Sequence, residues 1–167
     1  TTAENTVTLE KKGDFSLLVS PVSNTVNIGS SKTIEDTITS VQEFQSPVII
    51  TSSGAVEGIT VQITPSSVVP QPNTPATANV IISVASSVTP DTYTITILAQ
   101  SGILSKTQVV TIDVPLSDFT IDITPSSNTI SQDESTTYNL IITSVGGFNG
   151  AVQLSATNLL EGMMADF

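Results

Sequence analysis

DFSLLVSPVSNTVNIGSSKTIEDTITSVQEFQSPVIITSSGAVEGITVQI, residues 14–63, returns as DFTIDITPSSNTISQDESTTYNLIITSVGGFNGAVQLSATNLLEGMMADF, residues 118–167. The offset is a constant 104 positions with no gap, and 16 of the 50 positions are identical. Many of the remainder exchange Ile, Val and Leu, or Ser and Thr, and chance similarity does not hold register over such a length. Asp14-Phe15 matches Asp118-Phe119, Pro21 matches Pro125, and Ser23-Asn24-Thr25 matches Ser127-Asn128-Thr129. Ile38-Thr39-Ser40-Val41 recurs as Ile142-Thr143-Ser144-Val145, and Phe44, Val48 and Glu57-Gly58 recur as Phe148, Val152 and Glu161-Gly162. The chain is a tandem repeat of about 100 residues, and everything else is read against that period.

A second echo lies upstream. Val7-Thr8-Leu9-Glu10 resembles Val110-Thr111-Ile112-Asp113, and each is followed by an Asp-Phe pair. The expected organisation is therefore 1–12 as the closing strand of a preceding repeat or an inter-subunit donor strand, 13–116 as one complete repeat, and 117–167 as the first half of a further one. A plain β-prone tail is the other reading of 1–12.

Within the complete repeat, period-2 alternation and turn residues predict strands over 15–19, 24–28, 32–41, 48–51, 59–63, 78–84, 92–99 and 103–114. A proline-rich loop over 70–75 crosses between them. Val 18, Ile 18 and Thr 26 suit a pleated surface, and little in the composition favours helix. The fold class expected is all-β, tandem immunoglobulin-like β-sandwich repeats of about 100 residues. Pro90-Asp91-Thr92-Tyr93 opens the penultimate strand, where such sandwiches place a corner tyrosine; an ordinary cross-strand Tyr is the alternative.

Composition excludes whole classes of chemistry. The chain of 167 residues has no Cys, His, Trp or Arg, four Lys and 15 carboxylates, for a net charge of −11. Cys/His zinc sites, Ser–His–Asp and Cys–His catalysis and disulfides each lack a necessary side chain. Nucleic acid is excluded as a partner by the sign of the charge. No apolar run approaches the roughly 18 residues of a membrane span. Export would need a signal peptide removed before Thr1. No catalytic, cofactor-binding or metal residue is assigned, no cofactor is expected, and the chain is not expected to be an enzyme.

Several acidic and basic residues are candidate sites. Glu10, Asp14, Asp113, Asp118 and Asp122 flank the repeat boundaries, where carboxylates could gather Ca²⁺, although Asp14 and Asp118 equally suit a cap at a strand start. Asp133-Glu134 reads as a solvated hairpin tip. Glu35-Asp36 lies in a strand, where one of the pair must face outward and solvent exposure is the default. Lys32 or Lys106 could cross-link to a core Asn, but the aromatic shelter for such a bond is missing. Asn24, Asn73, Asn128 and Asn158 are not followed by x-Ser/Thr, so N-glycosylation is not expected.

The motifs Asp118-Phe119-Thr120-Ile121 and Pro125-Ser126-Ser127 resemble the opening of a family of prokaryotic extracellular immunoglobulin-like tandem repeats. Thr143-Ser144-Val145-Gly146-Gly147-Phe148-Asn149-Gly150-Ala151-Val152 resembles its mid-repeat signature, and Thr89-Pro90-Asp91-Thr92-Tyr93 its proline-led approach to the penultimate strand. The complete repeat departs from the pattern at Gln42-Glu43, where small residues or Gly are usual. The resemblance implies an extracellular, cell-surface location and a structural module of a filament, surface layer, stalk or adhesin. The alternative it implies is an accessory or carbohydrate-binding domain of a secreted hydrolase. The partners expected are other repeats of the same chain, with a homopolymer through strand exchange as a further option. Residues 118–167 match only the strands up to Ile63, so they are expected to be unstable alone. The native protein is expected to continue past Phe167, and residues 1–10 to pair with a sandwich other than 14–115.

Overall fold

The computed structural model describes residues 13–167. The chain divides after Ser117 into two compact units. The first is a two-sheet sandwich. Its strands are β1 (Asp14–Ser20), β2 (Ser23–Thr25), β3 (Ser31–Val41), β4 (Val48–Ser53), β5 (Ile59–Thr64), β6 (Ser67–Val68), β7 (Ala76–Val84), β8 (Asp91–Ser101) and β9 (Leu104–Val114). One sheet has the order β1-β3-β7-β5 and the other β2-β9-β8-β4-β6. Every pairing is antiparallel except β2 with β9. The four-stranded sheet facing one that carries the last two strands at its centre is the immunoglobulin-like arrangement.

Alternation in the sequence becomes the two faces of each sheet. On β3 the buried positions are Ile34, Asp36 and Ile38; on β8 they are Ile95, Ile97 and Ala99; on β9 they are Val110, Ile112 and Val114. The aliphatic ones among these close over Phe15 and Val19 of β1, Val48 and Ile50 of β4, and Val80 and Ile82 of β7 in one apolar cluster. Burying each such side chain contributes roughly 1.5–3 kcal/mol, which is the main force holding the sheets together. Phe44, in the β3–β4 turn, lays its ring 5.4 Å from that of Phe15, tilted by 42°.

The strands follow the sequence reading with two differences. The second strand stops at Thr25, three residues short, because the chain turns at Asn27, whose carbonyl accepts from the Ser30 N–H. The short β6 was not expected: Ser67-Val68 falls just after Pro65 and is too brief to show alternation. The corner tyrosine is present. Tyr93 Oη donates to the Thr89 carbonyl at 2.8 Å. The bonds Ser20–Pro21, Thr64–Pro65 and Thr124–Pro125 are cis.

The second unit contains one two-stranded sheet, β10 (Asp118–Thr124) with β11 (Asn139–Val145). Its register is that of β1 with β3 moved by 104: Asp14 opposes Val41, and Asp118 opposes Val145. The ring pair recurs as well, Phe119 to Phe148 at 5.1 Å and 43°. The repeat also predicts strands matching β2, β4 and β5 within 127–129, 152–157 and 163–167, and these are not formed. The reason lies in the pairing. In the first unit β2 pairs with β9, β4 with β8 and β6, and β5 with β7. Residues 118–167 hold no counterparts of β7, β8 or β9, so only the β1–β3 equivalent has both partners. Ile121, Ile123, Ile141 and Ile142 are correspondingly exposed. The expectations for residues 1–10, including Glu10, fall outside the described residues.

Candidate functional site

The turn joining β3 to β4 and the turn joining β8 to β9 meet at one end of the first sandwich. Together with Gly13, segments 42–46 and 101–104 line a recess of about 650 Å³. Among the described residues its wall is Gln, Ser, Gly, Phe44 and aliphatic in character, and Glu43 is the ionisable side chain. A single carboxylate is not a general acid–base pair, and among the described residues no nucleophile–base couple lines the recess. Gln42 and Glu43 both adopt the left-handed conformation, φ 55° and 58°. The matching residues of the second unit are Gly146 and Gly147, at φ 60° and 80°. The departure noted in the sequence thus leaves the backbone unchanged and places two side chains where glycine is favoured.

The boundary carboxylates are held locally. Asp14 Oδ2 accepts from Lys106 Nζ at 2.9 Å, and its Oδ1 accepts from the Phe15 N–H at 2.8 Å. Lys106 also stands 5.9 Å from the centre of the Phe15 ring, so β9 of one sheet is tied to β1 of the other. The Lys106 hydrogen bond, helped by the Phe15 N–H, lowers the Asp14 carboxyl below its ordinary value. Asp118 repeats the local half of this arrangement, accepting from the Phe119 N–H at 2.8 Å. The strand-start cap is therefore what the two units share. Asp113 and Asp122 lie exposed on β9 and β10, and Asp133 and Glu134 are exposed in a turn. Within either unit, the described residues contain no group of three carboxylates placed to hold a metal ion. Lys32 is exposed at the start of β3, and Lys106 is committed to Asp14 rather than to a core Asn.

The default for Glu35-Asp36 needs correction at one member. Glu35 faces solvent, but Asp36 is 0% exposed and both its oxygens lack a hydrogen-bond partner. Asp36 shares the inward face of β3 with Ile34 and Ile38, and strict alternation puts it in the core whatever its charge. Burial pushes its carboxyl up to about 6. Asn24 is buried too, with its Nδ2 donating to the Pro21 carbonyl at 3.0 Å. The parity of 34, 36 and 38 was the signal that could have found Asp36 from sequence.

No family model matches the chain, and no curated protein matches it. Among solved structures, domains 4 and 5 of the S-layer protein SbsC are similar at 20% identity and a TM-score of 0.46, over 66% of this chain and 57% of that one. The D00–D0 domain of intimin is similar at 15% identity and a TM-score of 0.40, over 65% of this chain and 50% of that one. A family 123 glycoside hydrolase from Clostridium perfringens is similar at 14% identity and a TM-score of 0.48, over 56% of this chain and 22% of that one. The chain thus spans less than two thirds of the length of each of these.

Proposed function

We propose that this chain is a non-catalytic, structural module of an extracellular cell-surface assembly, a filament, surface layer, stalk or adhesin built from immunoglobulin-like repeats. The observation that carries the reading is what the two units have in common. Each shared feature with a structural explanation serves packing or turn geometry: the Asp cap on the following N–H, the paired Phe rings, the strand register and the left-handed turn glycines. Gly58 is one such case. It sits at φ 85°, and a Cβ there would come within 2.7 Å of Val88 Cγ2; Gly162 repeats the conformation at φ 89°. Duplication that preserves packing rather than a reactive constellation suits a chain whose task is to place repeats in series.

The inventory agrees. The chain is acidic, rich in Ser and Thr and nearly free of Lys and Arg, which suits a protease-exposed exterior. The sequence resemblance to prokaryotic surface repeats points the same way. Accessory-domain duty on a secreted hydrolase is the rival. Sugar-binding sandwiches present exposed aromatic platforms, whereas Phe15 and Phe44 of the first unit are buried. A polysaccharide array probed with the 167-residue chain separates the two. The proposal expects no selective binding, and selective retention of one polysaccharide would favour the hydrolase accessory.

A further inference from the structure

Position 36 is one at which the two repeats differ sharply in chemistry. The gap-free alignment sets Asp36 against Leu140, so one repeat has a carboxylic acid where the other has a half-buried aliphatic residue. Asp36 is fully enclosed between Val19 of β1 and Ala78 of β7, the residues opposite it in the sheet, and neither oxygen is hydrogen-bonded. An ionised carboxylate in such a place is expensive unless it is paired, and the less costly solution is to keep the proton.

Among the described residues, nothing charged offsets it. The ionisable groups on the strands of this unit are Asp14 on β1, Lys32 and Glu35 on β3, Asp91 and Tyr93 on β8, and Lys106 and Asp113 on β9. β2, β4, β5, β6 and β7 carry none. Lys106 is engaged by Asp14, Lys32 lies at the exposed strand start, and Glu35 points to the opposite face. None of them bonds to Asp36, and desolvation alone accounts for the direction in which its carboxyl is moved.

We infer that Asp36 makes the first sandwich an acid-favoured fold, with its greatest stability in surroundings where that carboxyl carries its proton. The folded state binds this proton more tightly than the unfolded chain does. Stability therefore rises as pH falls through about 6 toward the ordinary carboxylate value of 3.8, and is level below it. A second, independent observation supports an acidic setting. Acid normally unfolds proteins by breaking native ion pairs and charging buried His. Here His is absent, and among the described residues the half-exposed Lys106–Asp14 contact is the one ion pair that protonation would break. Lowering pH also relieves the self-repulsion of a chain that carries −11 at pH 7.

The test is a carbon-13 NMR titration of the Asp36 carboxyl in the 167-residue chain, with urea unfolding at pH 3 and pH 7 of that chain, Asp36→Asn and Asp36→Leu. The carboxyl should titrate near 6. From pH 7 to pH 3 the folding equilibrium constant of the unaltered chain should gain roughly 10²-fold over any change in the variants, from a displacement of about two pKa units. Asp36→Asn preserves shape, so the comparison survives if Leu does not fit. A carboxyl titrating near 4, or the same pH dependence with and without Asp36, would overturn the inference.

Discussion

The Phe44 ring rests 5.4 Å from the Phe15 ring and joins the β3–β4 turn to the first strand. Both rings are buried, at 8% and 1% exposure, so the contact closes one end of the core rather than decorating it. Phe44→Ala should destabilise the first unit by about 3–5 kcal/mol, the range for deleting a core Phe. A double-mutant cycle with Phe15→Ala, read by urea unfolding, should return a coupling of about 0.5–1.5 kcal/mol. Additive effects would mean that the two rings act separately.

Tyr93→Phe removes the hydroxyl that donates to the Thr89 carbonyl while leaving the ring in place. The hydroxyl also bonds with Thr89 Oγ1 at 2.9 Å, so the expected loss is about 0.5–1.5 kcal/mol for each of the two bonds. Differential scanning calorimetry would detect it, and an unchanged transition would show that the corner does not brace the strand.

Glycine at position 43 should stabilise the protein. Glu43 adopts φ 58°, a conformation that costs an ordinary residue roughly 1–2 kcal/mol and Gly almost nothing. After the extra chain entropy of Gly, Glu43→Gly should gain about 0.5–1 kcal/mol. A loss of urea resistance in Glu43→Gly would contradict the strain.

Asp14 titrates in the opposite sense from Asp36. Lys106 stabilises its ionised form, so the contribution of the pair is present above the ordinary carboxylate value of 3.8 and fades as pH falls through the lowered one. Lys106→Met should move the Asp14 carboxyl back up toward its ordinary value, as followed by NMR. Because both partners are partly exposed, added salt should weaken the effect.

Amide hydrogen exchange should follow the pairing logic of the repeat. Protection is expected through β3, β7, β8 and β9, which are hydrogen-bonded on both sides. Residues 150–167 should exchange rapidly, since they have no ladder partners in the second unit. Slow exchange there would show that the strands matching β4 and β5 form without the partners they use in the first unit.

Much of this was legible in the sequence because sandwich strands declare themselves by alternation and by the residues that stop them. Ile59-Thr60-Val61-Gln62-Ile63 before Pro65, and Thr92 to Ala99 after Pro90-Asp91, needed no tertiary information. Two features were not legible, and a third was legible only through its parity. Lys106 is 92 positions from Asp14, and nothing local marks such a pair. For Glu35-Asp36 the charge suggests solvent while alternation sends one of the two inward, and parity with Ile34 and Ile38 makes that one Asp36; position in the strand overrides residue preference. Gln42-Glu43 stood out as a departure from a glycine pattern, but only the backbone reveals that the left-handed turn was kept and the side chains were added to it.

The central claim is that these repeats form part of a structure on the outside of the cell. Immunogold electron microscopy of intact cells of the source organism, with antibody raised against residues 13–117, tests it most directly. The account predicts label on the cell exterior, following filaments, stalks or an ordered surface layer. Label confined to the cell interior, or found only on a released soluble hydrolase, would contradict it.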